Sequence, residues 1–349
     1  MKSSLVFAGL GVLVSWSLPT FAFGENAPPA GPQTVTKIVL TDGGRTAVRT
    51  AKELGLFPQP DEAALRSALS RIARVFRQEP INARLFLRRG VVRVDPGTYA
   101  RALNVAETAD RLLKTYRAGL PTQTITVVLD KNPPEITTEQ LKRFDTVLSR
   151  VETKAWNHPG RNHNIALATN LIDGTIVPPG GQFSLNETVG ERTKARGFRE
   201  SIIFVESREV RGVGGGVSQI TGTVFNAAAE AGMRIDEAHF HSRPVPYLPL
   251  GYDATVAWGQ KDMKFTNDLE TPVYVGMDWK RPYLTATLYG TRQPGRQVRM
   301  QASVRRLGPG RINASLYRTI KLNGRVVRKE KIVSHAYRWD PNDNEVHDD

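Results

Sequence analysis

The chain of 349 residues has no cysteine. That excludes disulfides, thiolate metal sites and a thiol nucleophile together. Long apolar runs are equally scarce. One spans Leu5 to Leu18, and no second run is long enough to cross a bilayer. Acidic residues are in deficit: 34 Asp and Glu face 48 Lys and Arg, giving a net charge of +14 and a pI near 10.1. An anionic partner follows as an expectation, whether nucleic acid, an acidic membrane face or an anionic wall polymer. No nucleic-acid motif and no dense basic run accompanies the charge, so nucleic acid is not expected. Internal repeats and low-complexity tracts are absent too, and the even composition is that of a globular chain long enough for two cores.

The one apolar run has a role that its position explains. MKSSLVFAGLGVLVSWSLPTFA has a single Lys, an apolar centre, Pro19 and a small-residue end at Ala22. This is the shape of a secretory signal peptide, residues 1–22, with an uncleaved anchor as the other reading. Cleavage would leave no stable membrane span and a periplasmic or extracellular protein. Residues 23–33, FGENAPPAGPQ, read as a flexible linker.

Two blocks follow, together predicting an α+β fold: a small α+β domain over 34–153, then a β-rich mixed domain over 154–349 with C-terminal hairpins. In the first, TVTKIVL alternates like a strand, and DEAALRSALSRIARVF puts Leu65, Leu69, Ile72 and Phe76 on one helical face. ARLFLRRGVVRV reads as a hairpin turning at Arg89-Gly90. Asn104 and Glu107 open a helix that Gly119 stops, TITVVL is a strand, and Thr137 and Gln140 open a helix carrying Leu141, Phe144, Leu148 and Val151. Nothing here asks for chemistry, so binding or spacing is its role. In the second block, RNHNIALATNLIDG is a helix with Ile165, Ala168, Leu171 and Ile172 inward, SIIFVESREV a strand, and Asn323-Gly324 a type I′ hairpin turn.

The stretch GVGGGVSQITGTVFNAAAEAG carries the main functional signal. It lacks the Lys of a P-loop and the third Gly of a dinucleotide loop. Gly214, Gly215 and Gly216 offer backbone without Cβ atoms, and a helix with Val217, Ile220, Val224, Ala227, Ala228 and Ala231 inward follows at once. Ser218 lies in its first turn, near unpaired N–H groups that can hold an oxyanion or a carboxylate. It reads either as a nucleophile or as a plain helix cap. Downstream, His239 and His241 stand two apart on an expected strand, and Asp253 follows. A His–Asp pair supplies a general base and its orienter. The two His with Asp236, Glu237 or Asp253 are also donor types that zinc takes, but His-x-His is common by chance, so no metal and no cofactor is assigned.

GVGGGVSQITGTVFNAA resembles the signature of the VanW family, in which a glycine run precedes Cys-Gln and a helix. The resemblance extends through RNHNIALATNLIDGTIVPPGGQFSLNETVGERTKARGF, HSRPVPYLPLGYDATV and DMKFTND, about residues 160 to 275. The first block, in GVVRVDPGTYARALNVAETADRLLKTYRAG and the approach to PPEITTEQL, resembles the peptidoglycan-binding domain often found ahead of VanW domains. The family takes its name from an accessory gene of glycopeptide-resistance clusters. Its members are exported or membrane-attached envelope proteins, and the VanW domain is identified as a peptidoglycan L,D-transpeptidase with Cys as nucleophile. The resemblance thus implies action on peptidoglycan stem peptides, with Gly214, Gly215, Gly216, Gln219, His239, Ser242 and Tyr247 around the substrate.

The family's Cys position is Ser218. A thiol gives useful thiolate near neutrality, whereas an alcohol needs a placed base in the transition state. Two expectations follow. In one, Ser218 is the nucleophile of an acyl transfer, His241 the base and Asp253 its orienter. In the other, the same groove binds stem peptides without chemistry. No oligomeric state is assigned.

Overall fold

The computed structural model describes residues 37–118, 124–205 and 208–341. The expected signal peptide and linker, and the helix stop at Gly119, lie outside the described residues. The described chain is α+β and divides into two compact units. One comprises the described residues through Arg77 together with Ala102–Asp130, and the other comprises Gln78–Arg101 and the described residues from Lys131 on.

In the first unit, strand Ile38–Thr41 lies between an antiparallel neighbour, Thr46–Arg49, and a parallel one, Thr124–Thr126. Helices Glu62–Phe76 and Val105–Arg117 cover it. Leu65, Leu69, Ile72 and Phe76 are all buried, as their spacing predicts. Asp61 and Asn104 cap the two helices, each accepting from the N–H three residues on.

The second unit is larger. Its central antiparallel sheet runs Thr146–Lys154, Tyr283–Gly290, Val273–Lys280, Thr175–Val177. Helix Val217–Ala231 packs on this sheet and is buried nearly all round, so small residues dominate it: Ser149 Oγ donates to Ala227 O at 2.6 Å, and the hydroxyls of Thr153 and Thr223 meet at 2.9 Å. Helix Pro159–Ile172 lies against the same core. Three long antiparallel strands, Arg296–Gly308, Arg311–Leu322 and Arg325–Arg338, complete the unit. They carry twelve Lys and Arg against one carboxylate, Glu330, so most of the chain's positive excess sits on one sheet. Two of these arginines reach inward to the carbonyls that end helix Val217–Ala231. Arg318 Nη1 donates to Ala229 O and Met233 O at 2.9 and 2.7 Å, and Arg296 Nη1 to Ala231 O at 2.7 Å. Cations there satisfy orphan carbonyls and oppose the negative end of the dipole.

Both expected hairpin turns form: Arg89-Gly90 and Asn323-Gly324 have positive φ throughout. Three local expectations are corrected. The helix opened by Thr137 ends at Leu141 after one capping-box turn, and Thr146–Lys154 is a strand. Its β-branched residues pair along nearly their whole length with Tyr283–Gly290, and that ladder outweighs the helical spacing of Leu148 and Val151. Leu171 is 39% exposed, because it falls one residue off the stripe that buries Ile165, Ala168 and Ile172. SIIFVESREV is not one strand but parts of two, Glu200–Val205 and Arg208–Val213, paired antiparallel.

Candidate functional site

A cavity of about 1410 Å³ opens in the second unit at the N-terminal end of helix Val217–Ala231. The turn that starts this helix explains why the glycines are there. Gly216 is the N-cap at φ +106°, and a Cβ on it would meet Ile165 and Arg161 at 3.0 and 3.1 Å. Gly215 has Ile202 O where a Cβ would stand. The close approach offered by the glycine run is therefore used by neighbouring protein, which packs helix Pro159–Ile172 and strand Glu200–Val205 against the turn.

With Gly216 as N-cap and no side-chain cap bond, the reading of Ser218 as the cap is corrected: it is the second helical residue. It is half-buried on the cavity wall, and its hydroxyl meets that of Thr255 at 3.0 Å. Its backbone N–H has no acceptor among the described residues, as expected in a first turn.

His241 also lines the cavity, and Asp253 stands behind it, 1% exposed. Asp253 Oδ2 accepts from the His241 backbone N–H and lies 3.0 Å from its Nδ1. A carboxylate only accepts, so Nδ1 is the donor to Asp253 and carries a proton, which leaves Nε2 as the ring nitrogen directed away from Asp253. The other carboxylate oxygen accepts from the Tyr337 hydroxyl and has His335 Nδ1 at 3.5 Å. Burial pushes the Asp253 carboxyl up, but the contacts from His241, His335 and Tyr337 prevail and hold it well below the usual range. Tyr337 in turn accepts from Gly251 N–H at 2.9 Å, and burial together with the Asp253 charge raises its phenol.

Of the other sequence-predicted residues, Gly214, Gly215, Gly216, Gln219, Ser242 and Tyr247 line the same cavity. His239 does not. Its Nε2 meets Glu237 Oε1 at 2.9 Å and its carbonyl accepts from Thr255 N–H at 2.8 Å, so the two histidines serve different surroundings and the expected common strand is absent. Glu237 is held at about 2 by Lys264 and His239, and Asp236 is taken up by Arg234, Gln182 and Thr266. Among the described residues no group of three or more His, Asp or Glu is arranged to hold a metal ion.

The cavity and the groups behind it include residues that carry no clear signal in the sequence pattern or were not singled out by it. Arg161 is 4% exposed and stacks on Trp156, with its guanidinium carbon 3.6 Å from the ring centroid. Its Nη2 donates to Gln219 Oε1 at 2.7 Å. The signal was in plain view: Arg161 stands at the i−4 position of Ile165, a cation on the apolar stripe of its helix. Thr255, Tyr337 and His335 had no comparable signal, since only folding brings them to Ser218 and Asp253.

Residues 160–289 match the family model described as VanW like protein. A protein of Bacillus subtilis (strain 168) described as uncharacterized protein YoaR is 29% identical over 277 residues, which cover 76% of this chain and 88% of that protein. No solved structure matches the chain.

Proposed function

Residues 160–289 form a VanW-like domain and place the chain in the VanW-like family, and from that premise we propose that it is an exported envelope protein acting on peptidoglycan stem peptides by acyl transfer. The observation that carries this reading is one cavity lined both by Ser218, in a first helical turn, and by a His241 held by buried Asp253.

The roles follow from the chemistry. Ser218 Oγ attacks an amide carbonyl of a stem peptide while His241 Nε2 takes the hydroxyl proton. Negative charge on the carbonyl oxygen falls beside the free N–H of Ser218 and the positive end of the helix. His241 then returns the proton to the departing amine, leaving an ester on Ser218. An acceptor amine attacks that ester and gives its proton to His241, which passes it to the departing Ser218 Oγ and so restores the serine. Asp253 holds the ring and offsets the charge of the transient imidazolium.

A second reading is favoured by one contact. The Ser218 hydroxyl is engaged by the Thr255 hydroxyl, an arrangement that suits a stem-peptide-binding groove without chemistry. In both readings the domain expected over 34–153 attaches the chain to peptidoglycan, in the periplasm or outside the cell.

Incubation of the protein with muropeptides, followed by mass spectrometry, separates the two. Acyl transfer gives an adduct on Ser218 or new cross-linked dimers, lost in Ser218→Ala and kept or raised in Ser218→Cys. A binding groove gives neither product with the native serine, while muropeptides and sacculi are still retained. Failure to bind either muropeptides or sacculi would reject both.

A further inference from the structure

Arg161 is a buried guanidinium with no charge to match it. Among the described residues no carboxylate pairs with it, and its Nε has no hydrogen-bond acceptor. Its one side-chain hydrogen bond goes to a neutral amide, Gln219 Oε1. Gln219 is fully buried and its amide orientation is fixed: Thr223 donates its hydroxyl proton to Gln219 O, so Thr153 donates to Thr223 and can only accept from the Gln219 NH₂, at 3.0 Å. The oxygen thus faces Arg161 by construction, and the ring of Trp156 holds the guanidinium plane. Burial lowers its pKa to about 10, which still leaves it charged at neutral pH.

An internal control stands in the same unit. Arg318 is as deeply buried and is fully answered: Glu330 takes Nε and Nη2 at 2.9 and 2.7 Å, and two carbonyls take Nη1. That is how this fold treats an arginine whose role is structural. Arg161 differs in that it is one of the residues that line the cavity. The other charged residues of that wall do not supply the missing anion: Arg192, Arg243 and Lys261 have the same sign, against Glu191 alone. A desolvated cation left unpaired is destabilising, and a ligand anion removes that cost on binding.

We infer that Arg161 is the seat for a free carboxylate of the ligand, held by the fork of the guanidinium in a slot fixed by Gln219 and Trp156. The planar fork matches a planar carboxylate and can donate twice. The inference rests on the proposed function in one respect: in that setting the group is a terminal carboxylate of the stem peptide, so the site would select for chains that end in a free acid. It would also fix which end of the peptide lies beside Ser218.

The test is a calorimetric titration of the full chain with two peptides, each as free acid and as carboxamide. One is of wall type, diacetyl-L-Lys-D-Ala-D-Ala, and the other is N-acetyl-tri-L-alanine. The wall-type acid should bind at least about tenfold more tightly than its amide, as a charge-assisted pair requires. Arg161→Met should abolish that preference while leaving the Tm unchanged or higher, since a buried unmatched charge is removed. Gln219→Glu, which places a carboxylate on the guanidinium from within, should also abolish it and raise the Tm. Equal binding of acid and amide by the native protein, or a preference that survives in both variants, would overturn the inference. If the wall-type peptide binds without regard to its terminus, the seat fails while the peptidoglycan reading stands. If only the all-L acid binds, and through Arg161, the seat stands and the peptidoglycan reading fails.

Discussion

Asp253 and Arg161 are both buried charges of the same unit, and the protein treats them in opposite ways. Asp253 receives the His241 backbone and ring, the Tyr337 hydroxyl and the neighbouring His335. Arg161 receives one amide oxygen and two aromatic faces, Trp156 closely and Tyr247 at 6.0 Å, with no carboxylate among the described residues. A carboxylate answered on both oxygens is finished before any ligand arrives, so its role is to hold other groups still. A guanidinium left short of an anion is unfinished, and its completion is left to what enters the cavity. The contrast separates a positioning group from a recognition group without reference to sequence similarity.

The strongest way to break the contrast is to remove Asp253. Asp253→Ala leaves His241, His335 and Tyr337 facing a hole, and should cost about 3–5 kcal/mol by urea unfolding. Arg161→Met should cost nothing or stabilise. Equal losses would mean that Arg161 is structural after all. The pH dependence of the native protein gives the same information without mutation. The native carboxyl of Asp253 is depressed, so its contribution is complete above the ordinary Asp range and is lost as pH falls toward its native value. The acid limb of a stability–pH profile should therefore be less steep in Asp253→Asn than in the native chain.

Gly216→Ala comes next. It forces a left-handed position on a Cβ and presses it against Ile165 and Arg161, a strain of about 1–3 kcal/mol. It should weaken carboxylate discrimination more than it weakens folding, because the contact it disturbs is the stem of Arg161. Tyr337→Phe should cost about 1–2 kcal/mol, since Gly251 N–H and one oxygen of Asp253 each lose a partner. It should also slow any turnover through a less firmly held His241. Thr255→Val should be the mildest in stability, under about 1 kcal/mol. Its value lies in sign: releasing the Ser218 hydroxyl raises acyl transfer if Ser218 is a nucleophile, and changes only binding if it is not.

Much of this could be read directly from residue order. Helix Val217–Ala231 has the bounds its glycines announce, and the first-unit helix from Glu62 buries the four residues its period selects. These elements were legible because local punctuation and packing agree. The segment after Thr137 carries a helical spacing, but a ladder to a strand 129 to 144 residues away decides it. The glycine run, Ser218, His241 and Asp253 were legible as a set, but their partners were not. Tyr337 joins Asp253 from 84 residues along the chain, through strand pairing that no spacing rule encodes. Arg161 is visible in the sequence, but a charge at a stripe position reads as a solvated edge until burial is known.

The strands beyond residue 290 bear on how far this domain can travel as a module. The family match stops at 289, yet Arg296 and Arg318 close the far end of the serine-bearing helix, and Tyr337 closes the back of the carboxylate that steadies His241. A cassette of residues 160–289 grafted into another protein would carry Ser218, His241 and Asp253 while leaving both supports behind. The heritable unit of this site is therefore longer than its recognisable signature, and the fragment that keeps the motif is not the fragment that keeps the geometry.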